Sequence, residues 1–595
     1  MCRIAGIISD KLPLGEIKAK LKAMCDTLKH GGPDDEGMYA DERANLVFGH
    51  RRLSIIDLSQ NGHQPMLDAG AQTCITFNGE IYNYRELKQQ LRKAGVKFQS
   101  ETDTEVILAA YLHWGVGSFD MLRGMFAFAL YDAVKSVTYL VRGSTGIKPL
   151  YYSTNDGQLI FASEVRAFKA SGMANTTDPT WRVRFLSMGH IPEPYTTLKN
   201  VFSLQKGHYL TWDHTDNSFS IRSYLGNSGI TSYIDNAEAA KAEIHDCLRM
   251  AVKRQLIADA PIGVFLSGGV DSSLLTLLAN QEDQKLKTVS IYFNEQSYNE
   301  RSFQNIVLDR LTAEKFSHLV QQRDFDMFFP HIINNMDMPT TDGINTWFIS
   351  KYARMDGLKA VLSGVGADEV FGGYPSFNRI KYLKYLRMLP AALLKISSHF
   401  SADRYRKISF LAHPQPLADY LLLRGLYATK DIAQILDTDV AEVEEILFGE
   451  NMIPDLGDYD KNRAAWLETN IYMQNQLLRD TDVMSMTHGL EVRVPYLDED
   501  FQRLVNRISP EIKFGTNPPK KILIESFGDL LPEAVWKRPK MGFTFPLQEW
   551  MGKHCEISNA DLYRGKLAKE LVNKFKNNQL HWSKIFALYQ IQLHD

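Results

Sequence analysis

Over about the first two hundred residues, short apolar or alternating runs recur: RIAGIIS, ANLVFGH, TCITFNG, FAFALYD, VTYLVRG, QLIFASE and HYLTW. Alternation with period two sends side chains to opposite faces, and most runs stop at glycine, asparagine or aspartate, so each is predicted to be a strand. Apolar positions three and four apart predict helices between them over Leu14–Leu28, Tyr84–Ala94 and Thr104–His113. The result is a strand-rich, layered α+β region. Asp213–Asp235, polar and rich in serine, asparagine and glycine, reads as a linker. Past a helix over Ala237–Ile257 the texture changes: PIGVFLSGG runs into VDSSLLTLLAN, and strand-then-helix alternation returns at LKTVSIYF and GLKAVLSG. That alternation predicts a parallel sheet covered by helices, with a mostly helical remainder from Asn378 onward. The expected division is 1–212, a linker at 213–236, and 237–595.

Composition narrows the chemistry. At 595 residues, the chain is too long for one ordinary core. A hydrophobic fraction of 44%, a charged fraction of 23% and a net charge of −3 place it among globular proteins without a broad basic field, so no nucleic-acid partner is expected. The five cysteines are scattered and lack metal-ligand spacing, which points to a reducing, cytoplasmic setting without structural zinc. No run is long and apolar enough to span a bilayer, and no membrane partner is expected. A second copy of the chain is the one macromolecular partner left open.

Cys2 is a candidate nucleophile. Removal of the initiator methionine, usual before a small residue, would leave a thiol and a free α-amine on one residue, and an amine titrating near ~8 can take the thiol proton. Polar groups follow at the ends of strand-like runs in GHRRLSIID (Gly49–Asp57), FNGEIYNY (Phe77–Tyr84) and ETDTE (Glu101–Glu105). Taken singly, NGE is a common hairpin turn, Arg52 a surface arginine and Asp103 a helix cap. Taken together with MCRIAGI and HGGPDDEG, they resemble the class II glutamine amidotransferases, an N-terminal-nucleophile hydrolase family. The resemblance implies that Arg52 pairs with the glutamine α-carboxylate, within a binding segment that includes Leu53, Ile55 and Ile56. It assigns Glu80 and Asp103 to the α-ammonium, and Asn78 with the Gly79 N–H to an oxyanion hole. One departure is Arg142-Gly143, where the family has an arginine–aspartate pair; it bears on contact between the domains.

LSGGVDSS (Leu266–Ser273) lies between an apolar strand and a helix, where backbone N–H groups can form a phosphate nest. It matches neither the Walker A nor the dinucleotide pattern. An acidic Asp271 inside such a loop calls for a cation, and Mg2+ is expected. A second glycine-rich turn, VLSGVGADEVFGGYPSF, supplies Asp368 and Glu369. With LLRDTDVMSMTHGLEVRVPYLD and KRPKMGFTFP, these segments resemble the synthetase domain of asparagine synthetases and other PP-loop ATP pyrophosphatases. The resemblance implies that Ser267, Gly268, Gly269, Asp271 and Ser272 hold phosphate and metal, with Asp368 as the second carboxylate. Phe265, Ile291, Ser363 and Gly364 line the nucleotide pocket, and Lys540 steadies pyrophosphate, with Lys520 a weaker candidate. The implied architecture is an N-terminal-nucleophile hydrolase sandwich followed by an α/β PP-loop domain with a helical carboxy-terminal part.

Glutamine, ATP and an acceptor carboxylate are then the expected substrates. Ammonia released at Cys2 is expected to attack an acyl-adenylate, leaving an amide and AMP. Aspartate is the leading acceptor, and Asp342, Asn345 and Glu369 are acceptor or proton-handling candidates by chemistry and location. Val365 and Met338 stand where asparagine synthetases usually carry acids, so a sugar uronate, a peptide or a natural-product acid is the alternative. A β-lactam-forming relative has no need of Cys2, and a non-catalytic sensor has no need of the Cys2, Asp271, Asp368 and Lys540 set.

Overall fold

The computed structural model describes residues 2–226, 232–283, 285–515 and 518–594. The expected linker, 213–236, lies partly outside these residues, at 227–231. Within it Ser218–Ser223 forms a strand.

Twelve strands fill the amino-terminal part: β1 Arg3–Ile8, β2 Asp35–Asp41, β3 Leu46–Arg52, β4 Met66–Leu67, β5 Thr73–Ile81, β6 Gly124–Asp132, β7 Val137–Arg142, β8 Tyr151–Ser153, β9 Leu159–Ala162, β10 Phe202–Ser203, β11 His208–Asp213 and β12 Ser218–Ser223. They form two antiparallel sheets, β10-β8-β9-β1-β3-β2 and β12-β11-β7-β6-β5-β4. Each of the seven runs read as strands lies in one. The inner faces pack on each other through Ile4, Phe48, Ala127, Ala129, Phe161 and Trp212, all fully buried. The helices Leu14–Thr27 and Asp103–Trp114 cover the outer faces, within two residues of their expected bounds.

The second part is built on one five-stranded parallel sheet, β15-β14-β13-β16-β17, with β13 Ile262–Phe265, β14 Lys287–Tyr292, β15 Glu314–Leu319, β16 Ala360–Leu362 and β17 Glu491–Arg493. The central β13 leads directly into the helix Val270–Glu282. Parallel strands need crossovers, and the intervening helices supply them on both faces. The segment Glu468–Leu478 is wound as a π-helix and continues into the helix Arg479–Met486.

The two parts share one apolar core, which runs from Ala5 and Ile7 through Trp181 and Met188 to Phe348, Met484 and Ile585. A buried ionic network also crosses between them. Arg3, next to Cys2, is fully buried and donates to Glu164 at 2.7 Å and to Asp482 of the helix Arg479–Met486 at 2.8 Å. Lys148 reaches the other Asp482 oxygen at 2.7 Å. Arg166 reaches Glu164 at 2.9 Å and Asp337 at 3.4 Å, and Asp337 also accepts the backbone N–H groups of Val165 and Arg166. Arg3, Lys148 and Arg166 thus balance Glu164, Asp337 and Asp482, so no net charge is buried. Removing one member strands its partners in a dry interior, a loss of about 3–5 kcal/mol. Arg3→Met and Asp482→Asn are therefore expected to lower the urea midpoint of unfolding by a matching amount, and an unchanged midpoint would show the network to be solvated.

Candidate active sites

The first site lies where the two antiparallel sheets meet. Cys2 is buried at the head of β1, and its backbone N–H donates to the Asn78 Oδ1 at 3.2 Å. Its thiol points to the Leu53 carbonyl at 4.0 Å. Asn78, Gly79 and Glu80 are consecutive on β5 of the opposite sheet. With its oxygen committed to Cys2, the Asn78 side chain holds a buried Nδ2 without a partner among the described residues. An unpaired donor in a dry interior is costly, so it marks a place for an acceptor oxygen. Gly79 is required there, because a Cβ would lie 2.1 Å from the Met125 carbonyl oxygen and its φ is +150°.

Arg52 ends β3, is buried, and donates to the carbonyls of Ser59, at 2.8 Å, and of Asp57. These bonds aim its guanidinium, which forms no ion pair among the described residues. Glu80 and Asp103 are both buried. Asp103 opens the helix Asp103–Trp114 and accepts the Ile81 N–H at 2.9 Å, while Thr102 caps that helix. Burial pushes Asp103 up to about 6 against these backbone bonds. Burial and the neighbouring Glu491 push Glu80 well above the usual carboxylate range, with Arg493 opposing from 3.6 Å. Two buried acids held this high are a site awaiting a cation. Burial also raises the Cys2 thiol, opposed by the positive chain terminus. Leu53 and Ile55 are buried and Ile56 half-buried. The Ile55 carbonyl accepts the N–H groups of Asp259 and Ala260, from the second part of the chain.

The second site is a cavity of about 830 Å3 at the carboxyl end of β13 and β16. Phe265, Ser267, Gly269, Asp271 and Ser272 enter it from the first loop, and Ser363, Gly364, Asp368 and Glu369 from the second. Asp342, Asn345, Lys520 and Lys540 also line it. Gly268 and Ile291 do not; their carbonyls accept from Arg538, itself on the cavity wall, and from Gln304. In the loop the Ser267 and Ser272 hydroxyls bond to each other at 2.8 Å, and Ser272 accepts the Ser267 N–H.

Lys520, weighed lightly in the sequence, is at the centre. Its Nζ lies 2.5 Å from one Asp271 oxygen and also pairs with Asp368, while Lys540 reaches the same Asp368 oxygen at 2.6 Å. Burial pushes both acids up; beside Asp368 the two ammonium groups outweigh it, and beside Asp271 they do not. Two carboxylates facing one position are the hard oxygen donors Mg2+ takes, so Asp271 and Asp368 fit that ion. Gly373 leaves room for this cluster, since a Cβ there would lie 1.8 Å from an Asp368 oxygen.

Elsewhere on the cavity wall, Glu369 accepts from the Tyr374 hydroxyl at 2.7 Å, and burial lifts it to about 7. Asp480 is likewise lifted to about 7 by burial, and burial raises Asp342. Tyr374, Asp480, Thr481 and Arg538 line the cavity and carried no motif signal beyond their place in the quoted segments. Val365 lines it too, whereas Met338 is packed in the core away from it, so only the first of the two departures bears on an acceptor. Arg142 is consumed within the amino-terminal part by Glu193, Ser203, Leu204, Gly146 and Lys148.

The free-site acids carry a pH signature. An ammonium ligand needs Asp103 ionised, so protonation below about pH 6 is expected to lower kcat/KM for glutamine by up to tenfold per pH unit. Glutaminase assays across pH check this, and Asp103→Asn is expected to flatten that limb while lowering affinity throughout.

Among protein families, "Glutamine amidotransferase domain" matches residues 1–225 and "Asparagine synthase" matches residues 243–581. Glutamine-hydrolyzing asparagine synthetase 1 of Bacillus subtilis is 31% identical over 93% of this chain and 88% of its own. Asparagine synthetase 3 of the same organism is 29% identical over 91% and 86%. Amidase chry2 of Gibberella zeae is 26% identical over 91% and 88%.

Proposed function

This chain belongs to the asparagine synthase family of glutamine-hydrolysing carbon–nitrogen ligases, and from that premise we propose that it amidates the side-chain carboxylate of aspartate with ammonia drawn from glutamine. The observation that carries the reading is that the Ser267–Ser272 loop, Asp368 and two lysines line the same cavity as Asp342, Glu369 and Asp480.

At the first site the Cys2 thiolate attacks the glutamine amide carbon. Its proton passes to an amine, which on the mature chain is that of Cys2 itself. Asn78 Nδ2 and the Gly79 N–H meet the developing oxyanion, Arg52 holds the α-carboxylate, and Glu80 with Asp103 hold the α-ammonium. Ammonia leaves, and water cleaves the thioester to release glutamate. At the second site the acceptor carboxylate oxygen attacks the α-phosphorus of ATP and pyrophosphate departs. The loop N–H groups, Lys520 and Lys540 face the phosphate charge that this displacement concentrates. Mg2+ held by Asp271 and Asp368 would neutralise the same charge. Ammonia then attacks the acyl carbon, AMP leaves, and the surplus proton passes to a Glu369 carboxylate oxygen, whose position near 7 suits it to accept. Asp342 and Asp480 offer the aspartate ammonium a place, and Asn345 a hydrogen bond.

Val365 favours a second reading. An apolar side chain at the cavity wall gives an acceptor ammonium nothing to pair with, so a larger or less polar carboxylate, such as a sugar uronate, a peptide or a natural-product acid, is the alternative. The relative named amidase is consistent with that breadth.

Mass spectrometry after incubation with glutamine, Mg-ATP and aspartate tests the proposal. Asparagine and AMP in equal amounts are expected, and Cys2→Ala is expected to lose glutamine use while retaining synthesis from ammonium salt. AMP formed only with another acid would replace aspartate by that acid. Lys520→Met is expected to slow AMP formation by about 100-fold or more while sparing glutamate release; unchanged AMP formation would remove Lys520 from the phosphate site.

A further inference from the structure

The helices Ser376–Leu386 and Ala391–Ile396 begin two residues past Tyr374, on the cavity wall. Each buries one apolar stripe, Phe377, Ile380 and Leu383 on the first and Leu394 on the second. Outward apolar side chains follow at spacings of three and four: Tyr382 and Tyr385 on the first helix with Leu389 beyond its end, then Leu393 and Ile396 on the second with Phe400 beyond its end. These side chains are open to solvent, Tyr385 to 67%, Leu393 to 54% and Ile396 to 55%, and Met388, beside them at the tip before Pro390, to 78%. A helix apolar on both faces is ordinarily covered on both. Seven large exposed apolar side chains between 382 and 400 form a patch rather than a scatter.

Charge says what covers it. Residues 376–402 contain no aspartate or glutamate, in a chain whose net charge is −3. Arg387 is taken by Asp419, which leaves Arg379, Lys381, Lys384 and Lys395 exposed around the apolar stripe. A second copy would set like charge against like. The segment between the two helices, Met388–Pro390, is exposed throughout.

We propose that residues 376–400 dock the protein on an anionic lipid bilayer, the apolar stripe at the acyl boundary and the lysines and arginine among the headgroups. Such docking needs no spanning segment, and among the described residues no helix is long and apolar enough to cross a membrane. Docking would set the rim of the ligase cavity beside the membrane surface.

Sedimentation of the full chain with vesicles tests the proposal. The wild type is expected to pellet with equal mixtures of phosphatidylcholine and phosphatidylglycerol, less so as salt rises, and to remain in the supernatant with phosphatidylcholine alone. Tyr385→Asp with Met388→Asp and Leu393→Asp, and separately Lys381→Glu with Lys384→Glu, are expected to weaken anionic-vesicle binding by about tenfold or more while glutamate release is unchanged. Wild-type protein that stays in the supernatant with anionic vesicles overturns the proposal in favour of an acidic soluble partner. Variants with full glutaminase activity that pellet as the wild type does overturn it as well.

Discussion

The structure depends on one buried arginine. Arg3 follows the nucleophile on β1 and spends its guanidinium on Glu164 of its own half and Asp482 of the other. Burying six charges costs several kcal/mol per ion unless each is paired, so the network tolerates only the arrangement in which both halves are docked in register. Asp482 shares a helix with Asp480 and Thr481, which line the ligase cavity. One turn of helix therefore touches the strand of the thiol with one residue and the acceptor cavity with its neighbours. The position of the nucleophile and the shape of the second site are set by the same contact.

A second bridge runs through β17. The Arg493 carbonyl accepts the Ser363 N–H at the cavity, while its fully buried guanidinium pairs with Glu491 at 2.5 Å and approaches Glu80 in the first site. Glu80 sits in the field of both, so the charge state of the glutamine-site acid is tied to a strand of the ligase sheet. Distant sites joined by packed, charged side chains have a physical route for coupling, whose existence is a matter for measurement rather than proximity.

The ligase cavity is organised by competition for cations. Lys520 and Lys540 share Asp368, and Asp271 pairs with Lys520. Phosphate and Mg2+ would divide this cluster, phosphate drawing the lysines and the metal the carboxylates. Glu369, Asp342 and Asp480 form no ion pair with a lysine among the described residues, and burial lifts all three. The cavity thus grades from a cation-rich phosphate end to an acid-rich acceptor end, with Val365 the apolar break in the wall.

Local residue pattern by itself determined the strands, because period-two alternation between turn residues leaves little choice, and β1, β3, β5, β6, β7, β9 and β11 lie where it put them. The Ser267–Ser272 loop and the Asn78–Gly79–Glu80 run were legible as candidates for a similar reason, since each is contiguous in the chain, whereas Cys2 meets Asn78 only in the fold. What only the tertiary structure decided are relations between distant residues. Lys520 is the weaker lysine candidate in the sequence and sits between Asp271 and Asp368 in the fold, and the pairing of Arg3 with Asp482, 479 positions later, has no local signal. Met338 and Val365 looked equivalent as lost acids, and burial placed one in the core and the other on the cavity wall. The outward stripe of Tyr382, Tyr385 and Leu389 had the periodicity of a core helix. Periodicity reports that a face is apolar, and only packing decides whether that face meets protein or solvent.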